Sequence, residues 1–121
     1  MNRISEIIIG ASIKVHRSLG PGLLESAYEK CLEYELAKDG MRVERQKSLP
    51  VCYEEIELDC GYRLDLLIED KVVVELKAIE KLLPIHSAQL LTYLKLSGHK
   101  LGLLINFNVV TLTRGIRRLV N

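Results

Sequence analysis

The segment RLDLLIEDKVVVELK, which runs from Arg63 to Lys77, has the clearest structural pattern of the chain. Its apolar residues form two runs, and the polar pair Glu69 and Asp70 separates them. The second run begins with Val72–Val74, the most β-prone segment of the chain, because β-branched side chains suit a pleated surface. The pattern therefore predicts two strands joined by a tight turn.

Three charged residues, Asp65, Glu75 and Lys77, interrupt this apolar hairpin. Side chains two residues apart on a strand leave the same face, so Glu75 and Lys77 should point to one side of the sheet. Burying a charge on a strand costs several kcal/mol unless a partner compensates it. We therefore interpret the carboxylates as ligands of a divalent metal ion. The alternative is an ion pair between Glu75 and Lys77 on a solvated face.

The size and composition of the chain fit one domain, residues 1–121, with one hydrophobic core. Apolar residues make up 48% of the sequence, and with one Phe and no Trp the core must be built from Leu, Ile and Val. Lys and Arg total 17 against 16 for Asp and Glu, which argues against a strongly basic nucleic-acid coat. This balance leaves room for a local basic patch.

The cysteines Cys31, Cys52 and Cys60 are odd in number and lack the spacing of a zinc or iron–sulfur site. We interpret them as free thiols of a protein in the reducing cytoplasm. The N-terminal segment is charged at Arg3 and Glu6, and no apolar run is long enough to cross a bilayer. The sequence thus predicts a cytoplasmic protein without a signal peptide or a membrane span.

Helical periodicity appears in three segments that end at turns containing glycine or proline. These predicted helices cover residues 3–18, 23–38 and 84–97. Strand patterns outside the central hairpin cover residues 43–49, 51–53, 56–60, 101–105 and 116–120.

Two of these strand patterns carry further information. Residues 56–60 alternate as a half-exposed strand does, whereas residues 101–105 are almost continuously apolar, as in a strand covered on both faces. Residues 116–120 are expected to form a last edge strand. A meander of strands, a crossover helix and one more strand predict an α/β fold with a mixed sheet flanked by helices.

The order of the charged and polar residues resembles a known superfamily. Asp65, then Glu75–Lys77 on the next strand, then Gln89–Tyr93 on the following helix are similar to the PD-(D/E)XK nucleases, with their restriction-endonuclease-like fold. The helical motif resembles the QxxxY branch, which includes the RecB-type nucleases. The segment Gly22–Tyr28 fits the GxxExxY signature of a small bacterial and archaeal family. The resemblance covers almost the whole chain.

The resemblance implies a catalytic centre on the hairpin. Asp65 and Glu75 would bind Mg²⁺ or Mn²⁺, with the Leu76 main-chain carbonyl available as a further ligand. Lys77 would be the catalytic lysine, which positions the attacking water or offsets charge in the transition state. The superfamily's leading Pro-Asp is Leu64-Asp65 here, a departure that is common in the QxxxY branch.

The resemblance also assigns roles to residues on the helices. Glu25 would be the acidic residue that the early helix adds to the metal site, and Gln89 and Tyr93 would orient a substrate phosphate or the lysine. Each has a structural alternative: Glu25 suits a helix N-terminus, and Gln89 and Tyr93 suit a polar helix edge. His86 is interpreted as a helix-surface residue, and Tyr28 as a core residue.

The function that follows is hydrolysis of phosphodiester bonds, with DNA as the expected substrate and Mg²⁺ or Mn²⁺ as cofactor. The alternative is a non-catalytic module that binds nucleic acid or a protein on the same fold. A third, weaker possibility is a small dimeric scaffold that uses the last strand. A chain this short presents little surface to a duplex, so we expect a homodimer or a partner protein.

Overall fold

The computed structural model describes residues 2–121. Within that range the chain forms three helices: α1 (Arg3–Leu19), α2 (Glu25–Lys38) and α3 (Pro84–Ser97). It also forms seven strands: β1 (Val43–Ser48), β2 (Val51–Tyr53), β3 (Ile56–Leu58), β4 (Arg63–Ile68), β5 (Val72–Lys77), β6 (Leu101–Asn106) and β7 (Ile116–Val120). A short 3₁₀ turn at Leu112–Gly115 leads into β7.

The helix ends follow local sequence signals. Asn2 caps α1, because its side-chain oxygen accepts a hydrogen bond from the Ser5 N–H at 3.1 Å. Helix α3 begins at Pro84, whose missing N–H costs nothing in a first turn. It ends at Gly98, which adopts a left-handed conformation with φ of 77° and donates its N–H to the Leu94 carbonyl. The predicted bounds of α3 are confirmed.

The main sheet has the strand order β1-β4-β5-β6-β7, with β5 at its centre. Strands β5 and β6 are parallel, and the other neighbouring pairs are antiparallel. Helix α3 makes the crossover between β5 and β6, as a parallel pair requires. The mixed α/β sheet flanked by helices, with β7 as an edge strand, is therefore confirmed.

Apolar side chains cover both faces of this sheet. Helices α1 and α2 pack on one face through residues such as Ile8, Val15 and Leu32. Helix α3 packs on the other face through Leu90 and Leu94. All six residues of β6 are buried, which confirms that this strand is covered on both sides. The central strands are thus fixed in position from above and below.

The strand predicted at residues 56–60 is confirmed over Ile56–Leu58, but the prediction that it is half-exposed and belongs to the main meander was wrong. Strands β2 and β3 leave the meander and form a separate two-stranded hairpin, while β1 pairs with β4 instead. All three residues of β3 are exposed, so the alternation of Ile56, Glu57 and Leu58 has no core to face. Pro50 precedes the hairpin, and because proline lacks an N–H it cannot extend the β1 ladder.

Candidate active site

The hairpin formed by β4 and β5 is closed at one end and open at the other. At the closed end Leu66, Leu67 and Ile68 pair with residues of β5 in regular register. The turn at Glu69 and Asp70 has φ values of 54° and 52°. Two left-handed residues suit a tight hairpin turn, because their twist matches that of the strands. The predicted turn is confirmed.

At the open end the regular pairing stops after Leu66 and Val74, and two carboxylates take its place. The Asp65 N–H donates to Glu75 Oε2 at 2.9 Å. The Leu76 N–H donates to Asp65 Oδ2, also at 2.9 Å. Each acid therefore reaches across the gap to the backbone of the opposite strand. We call this gap, bounded by Asp65, Glu75 and Leu76, the fork.

Charge in the fork is poorly compensated. Glu75 is only 6% exposed. Burial, and then the negative charge of Asp65, raise the pKa of Glu75 to about 8. Burial likewise raises the pKa of Asp65, although the hydrogen bond from the Leu76 N–H opposes this. The pair therefore favours any cation that enters the fork.

Lys77 follows Glu75 by two residues on β5, and its side chain is half-buried. Its positive charge lowers the pKa of both Asp65 and Glu75, so the ammonium lies within electrostatic reach of the fork. Within residues 2–121 it forms no salt bridge at 4.0 Å or less. The structure thus brings together the three residues that the sequence placed on the hairpin and leaves the lysine free to contact a ligand.

The Leu76 main chain also faces the fork. Its N–H points toward β4, because it donates to Asp65. The N–H and C=O of one strand residue lie on the same side, so the Leu76 carbonyl points the same way. The next carbonyl, that of Lys77, points to the opposite side and accepts the Phe107 N–H at 2.9 Å.

Helix α2 brings two acids, Glu25 and Glu29, toward Asp65, and only Glu25 was predicted from the sequence. Glu25 begins the helix and is exposed, and its charge raises the pKa of Asp65. Glu29 lies one turn further on, is buried, and raises that pKa more strongly. The Glu29 carboxylate accepts hydrogen bonds from Arg45 Nη1 at 3.1 Å and Gln46 Nε2 at 2.8 Å. Nothing in the sequence pattern indicated a role for Glu29 except its position next to Tyr28 in the helix.

Gln46 links α2 to the fork. It has a left-handed φ of 55°, and the regular pairing of β1 with β4 skips it between Arg45 and Lys47. Its amide nitrogen lies 2.8 Å from Glu29 Oε1 and 3.4 Å from Asp65 Oδ1. A non-glycine residue held in this conformation stores backbone strain, as is common near functional sites. Sequence patterns gave no indication of this contact.

The two predicted residues of α3 are placed differently. Tyr93 is half-buried, and its pKa is raised by burial and then by the charge of Glu75, which places it within electrostatic range of the fork. Gln89 is exposed and forms no side-chain hydrogen bond within the described residues 2–121. Both side chains line a cleft beside Tyr62. Gln89 is therefore beside the site without contacting the acids.

Two further residues behave as structural elements, in keeping with their interpretation from sequence. Tyr28 is fully buried and stacks on Phe107 with ring centroids 4.6 Å apart. Its hydroxyl donates to the Gly20 carbonyl at 2.6 Å and accepts the Leu23 N–H at 3.0 Å, which fixes the turn before α2. His86 Nδ1 accepts the N–H of Leu83 at the start of α3.

The donor set of the fork fits a hard divalent cation. Carboxylate and carbonyl oxygens are the ligands that Mg²⁺ and Mn²⁺ prefer. Among residues 2–121, however, no group of three or more His, Cys, Asp or Glu side chains could hold a metal ion. Glu25 therefore does not complete a three-acid cluster with Asp65 and Glu75. The fork offers two carboxylates and the Leu76 carbonyl, which leaves coordination positions for water and substrate.

Comparison with known proteins agrees with this architecture. Searches of the curated proteins and of the solved structures gave no match.

No helix within residues 2–121 has the length and apolar character needed to cross a membrane. The family model described as the PD-(D/E)XK nuclease superfamily matches residues 2–119, nearly the whole chain, and nucleases of this superfamily generally use divalent metals. Together with the five-stranded mixed sheet and its three flanking helices, this match shows that the chain belongs to the PD-(D/E)XK nuclease superfamily.

Proposed function

We propose that the protein is a metal-dependent nuclease that hydrolyses phosphodiester bonds of DNA, with one domain spanning residues 1–121. The observation that carries the proposal is the crossed pair of hydrogen bonds in the fork, which holds Asp65 and Glu75 in one gap. A buried acid, Glu75, and a half-buried one, Asp65, lie so close together that they need a positive charge, and a divalent cation supplies it. We further propose membership of the GxxExxY group, which the motif at Gly22–Tyr28 supports.

The residues of the fork would divide the chemistry among them. When bound, Mg²⁺ or Mn²⁺ supplies polarisation of the phosphate and a more acidic water. Asp65 and Glu75 hold the ion through their carboxylates, with the Leu76 carbonyl as a third oxygen donor. Lys77 offsets negative charge that develops on the phosphate, because its ammonium has no carboxylate partner within 4.0 Å in residues 2–121.

Helical residues would assist at the edge of the fork. Tyr93 contributes a hydroxyl beside Glu75, and Gln89 contributes an unpaired amide, so both can orient substrate. Glu25 adds negative charge near Asp65 and can bind a metal-bound water rather than the metal itself. Because Glu25 is exposed and takes no part in the crossed hydrogen bonds, we expect it to be the least essential of the three acids.

The direct test is incubation of the purified protein with end-labelled DNA or RNA in Mg²⁺, Mn²⁺ or EDTA. We expect cleavage that requires metal and that is lost in Asp65→Asn and Lys77→Ala. Cleavage that persists in EDTA, or at the same rate in both variants, would contradict the proposal. The RNA arm decides between the two nucleic acids.

Binding without turnover is the second candidate function. It is favoured by the absence, within residues 2–121, of a third acidic ligand at the fork. In this case the protein would shift the mobility of DNA or bind a partner protein without cleaving any substrate in either metal. Retention of that binding in Lys77→Ala would separate a passive surface from a catalytic site.

Assembly and location are proposed on independent grounds. Strand β7 lies at the edge of the sheet, with Arg117 and Arg118 exposed, and could pair with a second copy of the chain or with a partner protein. A homodimer would enlarge the surface that faces nucleic acid. The three cysteines are free thiols, which supports a reducing compartment such as the cytoplasm. Light scattering tests the oligomeric state.

A further inference from the structure

A cleft of about 490 Å³ opens beside the fork, between α3 and the segment that contains the β2–β3 hairpin. Its aromatic and polar walls include Tyr53, Tyr62, Gln89, Thr92 and Tyr93. This volume falls in the range of about 300–1,000 Å³ that is typical of small-ligand pockets. The nuclease chemistry uses only one edge of this cleft, so the rest of its lining needs another explanation.

Tyrosines are concentrated at the cleft. The chain has five tyrosines, and three of them line it. Tyr53 is 63% exposed and Tyr62 is 47% exposed, so large aromatic faces are open to solvent. The rings of Tyr62 and Tyr93 lie 6.3 Å apart and are inclined by 55°. Exposed aromatic faces favour a flat π-system as their ligand.

The cleft is held in a fixed relation to the acids. Tyr62 stands three residues before Asp65, a distance of about 10 Å along an extended chain. The Tyr62 carbonyl accepts the Leu49 N–H at 2.8 Å, which anchors this segment to the end of β1. On the opposite wall the charges of Glu75 and Asp65 help to raise the pKa of Tyr93, so this cleft residue lies within electrostatic range of the fork.

The polar groups in the cleft suit the edge of a base. The Gln89 amide both donates and accepts hydrogen bonds, and it is exposed. Thr92 donates its hydroxyl to the Ala88 carbonyl at 3.1 Å and keeps acceptor capacity. Aromatic faces that stack on bases, together with polar groups that hydrogen-bond base edges, are features of sites that recognise single strands.

We propose that this cleft binds an unstacked nucleobase, adjoining the phosphate that Asp65 and Glu75 address, so that the preferred substrate is single-stranded or frayed nucleic acid. The proposal rests on the nuclease function above. A base within an intact duplex is stacked on both faces and cannot enter the cleft unless it is extruded at a cost of a few kcal/mol. Single strands and unpaired ends carry no such cost.

The test uses short DNA strands that carry one 2-aminopurine, whose fluorescence falls when it stacks, in EDTA so that no cleavage occurs. The chain has no Trp, so the probe can be excited without protein emission. We expect quenching with the wild-type protein and with Tyr62→Phe, which keeps the ring. We expect Tyr62→Leu to weaken binding by about 5- to 150-fold, the effect of losing one stacked base.

The matched control is Tyr34→Leu. Tyr34 is 64% exposed, nearly the same fraction as the 63% of Tyr53. It lies on α2, however, next to α1 and away from the cleft. We expect the Tyr34→Leu protein to bind single strands as tightly as the wild type does. Tyr53→Leu is the second cleft variant if Tyr62→Leu fails to fold by circular dichroism, and it should also weaken quenching.

Each outcome has a defined meaning. Quenching lost in the cleft variants and kept in Tyr34→Leu supports the base pocket. Equal binding by all variants, or equal quenching in blunt duplex and single strand, overturns it. Cleavage of DNA without quenching overturns the pocket alone, whereas quenching without cleavage in Mg²⁺ or Mn²⁺ overturns the nuclease function alone.

Discussion

The two ends of the β4–β5 hairpin are built from the same pair of strands and serve opposite purposes. At the closed end Leu67 and Val73 face each other in a regular ladder, and both are fully buried. At the open end Asp65 and Glu75 replace ladder hydrogen bonds with side-chain ones. One end is optimised for packing and the other for holding charge.

The difference shows how a small protein can tolerate buried acids. Apolar burial stabilises by about 25 cal/mol per Å² removed from water, and the closed end supplies it. Uncompensated carboxylates destabilise the folded state, and both of them lie at the open end of the same hairpin. Variants at the two ends should therefore separate effects on stability from effects on activity.

The largest effect is expected at the open end, on cleavage. Lys77→Ala should lower the cleavage rate by roughly 10²–10³-fold, because it removes a charge that the transition state needs. Thermal stability should change little, since Lys77 forms no salt bridge within residues 2–121. The measurements are single-turnover cleavage and thermal melting. The control is Lys71→Ala in the exposed turn just before β5, which should cleave normally.

The next effect is expected at the closed end, on stability. Leu67→Ala should lower the free energy of unfolding by about 2–5 kcal/mol, because it leaves a cavity in the core beneath α3. Urea unfolding gives the value, and Leu24→Ala, at a largely exposed position, should stay within about 0.5 kcal/mol of the wild type. A loss below about 1 kcal/mol for Leu67→Ala would contradict the assignment of this end to packing.

The open end should also make stability depend on pH. Glu75 has a pKa of about 8 in the folded protein against an ordinary value of 4.5, so the folded state binds its proton more tightly than the unfolded state does. In EDTA the free energy of unfolding should be highest below about pH 4.5 for this group and fall by roughly 1–4 kcal/mol as the pH rises to 8.

Glu75→Gln isolates this contribution, because it keeps an oxygen acceptor for the Asp65 N–H and removes the charge. The variant should have a flatter stability profile and be more stable than the wild type at pH 8 without metal. An identical slope in both proteins would show that Glu75 does not titrate in this range.

The smallest effect is expected at Gln46, which supports the fork from β1. Gln46→Ala should weaken Mn²⁺ binding by roughly 10-fold, as is usual when a group that orients a metal ligand is removed. Gln46→Gly should weaken it equally but melt at a higher temperature than the alanine variant, because glycine relieves the left-handed backbone by about 1 kcal/mol. Unchanged Mn²⁺ affinity in both variants would assign Gln46 to backbone structure alone.

Features with local sequence signals were predictable. Pro84 and Gly98 mark the ends of α3, and the polar pair Glu69 and Asp70 marks the turn, because each acts through backbone geometry within a few residues. The run Val72–Val74 likewise identified a central strand. The spacing of Asp65 and Glu75 around that turn was enough to predict that the acids meet.

Features that depend on tertiary contacts were not predictable. Gln46 reaches the fork only because its backbone turns left-handed inside β1, and glutamine carries no preference for that conformation. In the sequence Glu29 looks like any other acidic residue of a helix. Its role depends on the packing of β1 against α2, which brings Arg45 to its carboxylate. Residues 56–60 alternate as a strand of the main sheet would. They lie outside that sheet because β1, and not β3, pairs with β4.

If the carboxylates of the fork share a divalent cation, titration calorimetry with Mn²⁺ should detect it. We expect one Mn²⁺ per chain, with proton release at pH 7, because a pKa of about 8 leaves Glu75 mostly protonated in the metal-free protein. Asp65→Asn and Glu75→Gln should each abolish this binding, whereas Glu57→Gln on the exposed hairpin should not. Absence of Mn²⁺ binding by the wild-type protein, or binding that both fork variants retain, would show that Asp65 and Glu75 do not hold a cation.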